Sequence, residues 1–113
     1  MLDIETIMDM QRRLQDRYRG WWEPIEPGRG LNKLMWMIGE VGEVSQILKR
    51  RGHEGVMNDP QVRADLVEEL CDVLMYFGDV LLCYDITPEE FEAAYRAKHA
   101  RNLTRWNPPR QEG

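Results

Sequence analysis

The chain has 113 residues, 42% of them hydrophobic and 31% charged, with a formal net charge of −5. That length suits one domain and that composition a packed globule rather than a disordered tail, while the excess of acid argues against a basic surface gripping a nucleic-acid polymer. Small domains leave much apolar surface uncovered, so a chain of this size built from long helices is expected to complete its core by pairing with copies of itself.

The first residues, MLDIETIMDMQRR, carry acids where a secretion signal has basic residues. No apolar run approaches the roughly 18 residues of a membrane span, so a cytoplasmic protein without a membrane segment is expected. Asp3 can cap a first helix running to about Arg19, with Ile4, Ile7, Met8, Met10 and Leu14 as its apolar side. Gly20 and the following WWEPIEPGRG end it, because prolines and glycines this dense make a loop or an irregular crossing. The same segment holds Trp21 and Trp22, whose rings are rarely left fully in water.

A second helix is predicted from Gly30 or Leu31 to about Arg51, since Leu31, Leu34, Met35, Ile38, Val41 and Leu48 recur at helical spacing, and Gly52 is its natural stop. Asp59 and Pro60, a capping residue before a ring-locked first-turn residue, open a third helix to about Tyr84. Thr87 and Glu90 form a capping box for a fourth, to about Trp106. Residues 107–113, NPPRQEG, read as a flexible tail with little to bury. Cys71 and Cys83 lie in apolar helical sequence with no CxxC pair, which predicts reduced core thiols. The sum is one all-α domain, a four-helix bundle alone or shared between subunits.

Projected at about 100° per residue, Asp65, Glu69, Asp72, Tyr76 and Asp79 fall within about 40° either side of one line on the third helix, with Glu68 at the margin. Most of the remaining circumference is apolar, so these carboxylates are expected in or near the interior. On the second helix Lys33, Trp36, Glu40, Glu43 and Ile47 share one side. Like charges one turn apart repel, and interior carboxylates are costly without a compensating cation. Two such stripes on neighbouring helices make a poor core and a good cage for a divalent cation. An acidic stripe on a single helix is most often just a solvated face; the absence of Lys and Arg from the third-helix stripe, and the repeat of the spacing on consecutive helices, count against that reading here.

All-oxygen donors suit Mg²⁺, or Mn²⁺ in its place, and Mg²⁺ binds phosphate oxygens readily, which points to a phosphorylated substrate. A di-iron carboxylate bundle would want Glu-x-x-His pairs, and neither His53 nor His99 follows a helical glutamate by three residues. Both histidines read as surface residues. Lys33 either reaches a phosphate or neutralises Glu40, the second role being favoured. Trp21, Trp22 and Trp36 can stack on a base, although tryptophan in a small helical domain more commonly fills a core or interface. Tyr76 is either a donor to a carboxylate or a packing residue.

These words, IGEVGEVSQILK with Glu40-Val41-Gly42-Glu43 and LVEELCDVLMYFGDVL with Glu69-Leu70-Cys71-Asp72, resemble the ExxE and ExxD signature of the MazG-like all-α nucleoside triphosphate pyrophosphohydrolases, relatives of the dimeric dUTPases and dCTP pyrophosphatases. The likeness extends from the RGWW that ends the first helix through Lys98, Asn102 and Arg105 on the fourth. It implies a MazG-like four-helix bundle completed as a homodimer or homotetramer. It further implies Mg²⁺ held by Glu40, Glu43, Glu69 and Asp72, and hydrolysis of (deoxy)nucleoside triphosphates between the α and β phosphates to a monophosphate and pyrophosphate. Lys98, Asn102 and Arg105 would meet the triphosphate, with Lys33 and Trp36 as further substrate contacts and Asp65, Tyr76 and Asp79 as supporting groups behind the ligands. Many members carry another glutamate directly before the first signature glutamate, where this chain has Gly39, which bears on the number of metals and the substrate range. The competing class is a non-catalytic helical interaction module, its acids solvated and its apolar faces bound to a partner.

Overall fold

The computed structural model describes residues 1–106, and residues 107–113, read above as a tail, lie outside them. Four α-helices follow in chain order: α1 (Ile4–Arg17), α2 (Gly30–Asn58), α3 (Pro60–Cys83) and α4 (Pro88–Arg105), with a 3-10 turn at Pro27–Arg29 leading into α2. No strand occurs among the described residues, so the fold is all-α as expected.

Local hydrogen bonds set most of the boundaries. Asp3 accepts from the Thr6 N–H at 2.8 Å and starts α1. Asp59 accepts from Gln61 and Val62 at 2.9 and 3.4 Å, with Pro60 in the first turn of α3. Thr87 accepts from Glu90 at 3.1 Å ahead of α4. Each cap satisfies backbone donors that the helix itself leaves free. α1 stops at Arg17, two residues short of the predicted end, because the backbone turns: Trp21 and Trp22 both donate to the Tyr18 carbonyl, and the Tyr18 and Trp22 rings stack at 4.4 Å.

Gly52 has φ +64 and ψ 177, outside helical geometry, so the predicted stop is real even though helical residues resume beyond it. A single residue, Asp59, then separates α2 from α3, and Arg51 Nη2 reaches its Oδ2 at 3.4 Å across the break. The two helices fold back on each other as a long hairpin, the most extensive helix pairing in the chain.

The core lies at the far end of that hairpin. Met8, Leu81 and Leu82 are buried, with Ile4, Ile25, Phe77, Ile86 and Phe91 packed around them. α1 crosses the C-terminal part of α3, and α4 joins through an edge-on contact of Phe91 with Phe77 at 5.4 Å. The inward face of α1 includes Gln11, at 5% exposure, whereas Met10, assigned above to the apolar side, is 53% exposed.

Away from this core the hairpin is bare. Leu31, Met35, Ile38 and Val41 on α2 and Val67 and Leu70 on α3 are exposed in the single chain. Cys71 is exposed as well, contrary to the expected core position, while Cys83 is buried. The stripe on α3 therefore does not lie wholly in an interior built by one chain: Asp65 is exposed, Glu69 and Asp72 are half-buried and Asp79 is buried. The radius of gyration is 17.7 Å, against about 13 Å for a compact domain of roughly 100 residues.

At the start of α2, Gly30 is buried against the ring of Tyr84, and a Cβ there would fall inside the van der Waals envelope of the phenol. Gly30→Ala should therefore cost about 1–3 kcal/mol in chemical denaturation, the usual range for overpacking. In a Tyr84→Ala background it should cost less than half as much. An equal loss in both backgrounds would contradict the contact.

Candidate functional site

Both helices of the hairpin bring acids to their seam. Glu40 on α2 and Glu69 and Asp72 on α3 each offer a carboxylate oxygen, and these oxygens all lie within 4.8 Å of one another. All three side chains are half-buried. Glu43, one turn beyond Glu40, is exposed and stands outside this triad, although it lines the same cavity as Glu40 and Asp72. Helical spacing pairs the acids within each helix; the register of the hairpin decides which of them meet across it.

Such crowding has an electrostatic signature. The Glu69 carboxyl is held above its ordinary value of 4.5, first by a hydrogen bond with Glu40, then by desolvation, then by the charges of Glu40, Asp72 and Glu43. A proton shared between two carboxylates relieves their repulsion, and a cation would relieve it more completely. Oxygens ligating one Mg²⁺ octahedrally at 2.0–2.1 Å stand about 3–4 Å apart. The observed spacing is thus a modest contraction away from a ligand set, and the all-oxygen donors fit a hard cation.

A cavity of about 830 Å³ opens beside the triad. Glu40, Glu43 and Asp72 line its acidic part; Trp22, Trp36 and Tyr76 supply aromatic faces. Trp36 and Tyr76 meet at a tilt with centroids 6.0 Å apart. Trp21, the other loop tryptophan, is 89% exposed and takes no part. Burial raises the pKa of the Tyr76 phenol, and the charges of Glu40, Asp79 and Asp72 add to the effect, so the hydroxyl stays protonated as a donor.

Lys33 lines this cavity with only 2% of its surface exposed. Its ammonium donates to the Glu23 backbone carbonyl at 3.1 Å and sits 5.1 Å from the centre of the Trp36 ring, instead of pairing with Glu40 as favoured above. Asp79, also 2% exposed, accepts from Gln15 Nε2 at 3.2 Å, and its other oxygen has no partner among the described residues. Burial raises its pKa, against the opposing pull of Gln11, Lys33 and Gln15.

Other predicted residues lie elsewhere. Asp65 is exposed and accepts from Gln61 Nε2 at 2.9 Å, within the first turns of α3. Lys98, Asn102 and Arg105 do not line the cavity; the C-terminal half of α4 packs on neither α2 nor α3, and Arg105 lies over the Trp106 ring at 4.9 Å. Gln11 and Gln15, which the sequence reading passed over, do line it. They follow Ile4 and Met8 along one face of α1, so polar residues at inward positions were the available signal.

No helix among the described residues is long and apolar enough to cross a membrane. Compared with protein-family models, curated proteins and solved structures, the chain matches none.

The raised pKa of Glu69 contributes to the pH dependence of the metal-free protein, in the same sense as that of Asp79. An acid that holds its proton more tightly folded than unfolded stabilises the fold at low pH, and that contribution is lost as pH rises through the folded value. Thermal unfolding in chelator should therefore show Tm falling as pH rises from 4.5. Glu69→Gln, which keeps a donor for Glu40 and removes one charge, should flatten that slope. An unchanged slope would disconnect Glu69 from the cluster.

Proposed function

We propose that the chain is a magnesium-dependent nucleoside triphosphate pyrophosphohydrolase working in the cytoplasm, releasing a monophosphate and pyrophosphate by cleavage between the α and β phosphates. The observation that carries this reading is the convergence of Glu40, Glu69 and Asp72 beside a cavity of about 830 Å³, which Glu40 and Asp72 line. The resemblance of the ExxE and ExxD words to the MazG-like enzymes supports it independently of the geometry.

In this reading Glu40, Glu69 and Asp72 hold Mg²⁺, with Mn²⁺ as a substitute. Bound there, the ion would neutralise phosphate charge. Glu43, outside the triad and facing the same cavity, has a carboxylate free to take a proton from water. Lys33 offers a positive charge from the cavity wall, and Trp22 and Trp36 offer flat faces to a base. Lys98, Asn102 and Arg105 reach a triphosphate only if another copy of the chain brings them to this cavity.

Asp72→Asn and Glu69→Gln should each lower magnesium-dependent pyrophosphate release by about 100-fold or more, since groups that merely support metal ligands are already worth roughly 10–100-fold. Helical content measured by circular dichroism should be retained. Undiminished turnover in Asp72→Asn would remove the triad from the chemistry, and no turnover of any triphosphate by the intact protein would favour the interaction module.

The bare faces of α2 and α3 and the extended shape support assembly into a homodimer or homotetramer. Light scattering should give a mass at least twice the 13.4 kDa of the chain. A monomer of 13.4 kDa at micromolar concentration would contradict the assembly.

A further inference from the structure

Gln11, Lys33 and Asp79 are the buried polar side chains of the described residues, and they cluster beside the cavity. Gln11, Gln15 and Lys33 line it, whereas Asp79 does not. A primary amide has two unlike ends, and only its nitrogen end can donate to a carboxylate. The bond from Gln15 Nε2 to Asp79 Oδ2 therefore selects one of the two amide orientations and leaves the carbonyl Oε1 outside that bond, on a residue that lines the cavity. Asp79 is also a costly residue for this position. It is 2% exposed with its Oδ1 unpartnered, and an apolar residue of similar size would avoid that desolvation.

We propose that the Gln15–Asp79 pair reads the base of the bound nucleotide: Gln15 Oε1 accepts from an exocyclic amine on the base edge, and Asp79 is the positioning residue that holds the amide in that orientation. The inference rests on the nucleotide reading of the cavity and names the class of base. The aromatic faces of Trp22 and Trp36 line the same cavity and offer a base a surface to stack on. A fixed carbonyl acceptor favours a base edge led by an amine, as in cytosine and adenine. It opposes an edge led by a keto oxygen, as in uracil and hypoxanthine, whose lone pairs would face Oε1.

Nucleosides test this without metal, phosphate or turnover. Quenching of tryptophan fluorescence in the full chain should show cytidine binding tighter than uridine, and adenosine tighter than inosine, by about five- to tenfold, the worth of one hydrogen bond in a partly desolvated site. Gln15→Leu and Asp79→Leu should reduce both preferences to within about twofold, whereas Asp79→Asn, which keeps an acceptor for Gln15 Nε2, should retain them. Equal binding, a preference for the keto base, no binding of any nucleoside, or preferences unaltered in both leucine variants would overturn the assignment. Hydrolysis of triphosphates is read separately, as pyrophosphate release, so an active enzyme without an amine preference would refute this inference and leave the proposed activity standing.

Discussion

Everything at the site depends on one electrostatic constraint, the meeting of Glu40, Glu69 and Asp72 across the seam of α2 and α3. Three carboxylates in such proximity repel one another, and the crowding holds the Glu69 carboxyl above its ordinary value, chiefly through its hydrogen bond with Glu40. The hairpin has to hold the acids together against that repulsion. It does so with a tight reversal at Gly52 and Asp59 near one end and the Met8, Leu81 and Leu82 core near the other. The single-residue link at Asp59, which also caps α3, fixes where the chain reverses, and the position of that reversal sets the register opposing Glu40 to Glu69 and Asp72. A site assembled this way belongs to the helices themselves, where positions are held more accurately than on loops.

Behind the acids the structure invests in a second polar layer. Lys33 and Asp79 are both almost wholly buried, yet neither is satisfied by a close ion pair. Lys33 is held by a backbone carbonyl and the Trp36 ring, and Asp79 by an amide from α1. Buried charges so loosely compensated are a poor route to stability, since apolar substitutes often do as well or better. Lys33 lines the cavity shared by the acids and the aromatic rings, and Asp79 holds Gln15, which lines it too. α1 thereby serves two ends: its apolar residues close the core, and its glutamines furnish a wall of the cavity.

Much of this fold was legible from residue order because its determinants are local. Asp3, Asp59 and Thr87 announce helix starts through hydrogen bonds spanning two or three residues, and Gly52 marks the break in α2 by its backbone freedom. The pairing of acids within a helix was equally plain, since helical periodicity alone brings Glu69 and Asp72 to one face. What crosses between helices was not. Periodicity gives Glu40 and Glu43 equal standing, and only the register of the hairpin brings Glu40 into the triad while leaving Glu43 beside it. The apolar girth of α3 suggested burial, but residue type does not distinguish a surface covered by the same chain from one left bare, and Val67, Leu70 and Cys71 are bare here. Gln11 and Gln15 were missed because polarity was equated with solvent, and Lys33 was matched to the nearest acid on its own helix when its partner is the Glu23 carbonyl, supplied by the preceding loop.

The central claim is that the triad is a cation site, and titration of Mn²⁺ into the chelator-treated protein, followed by electron paramagnetic resonance, tests it most directly. The account predicts at least one Mn²⁺ bound per chain, displaced by Mg²⁺ and lost in Asp72→Asn. Mn²⁺ remaining free in the presence of the intact protein, or binding unchanged in that variant, would contradict it.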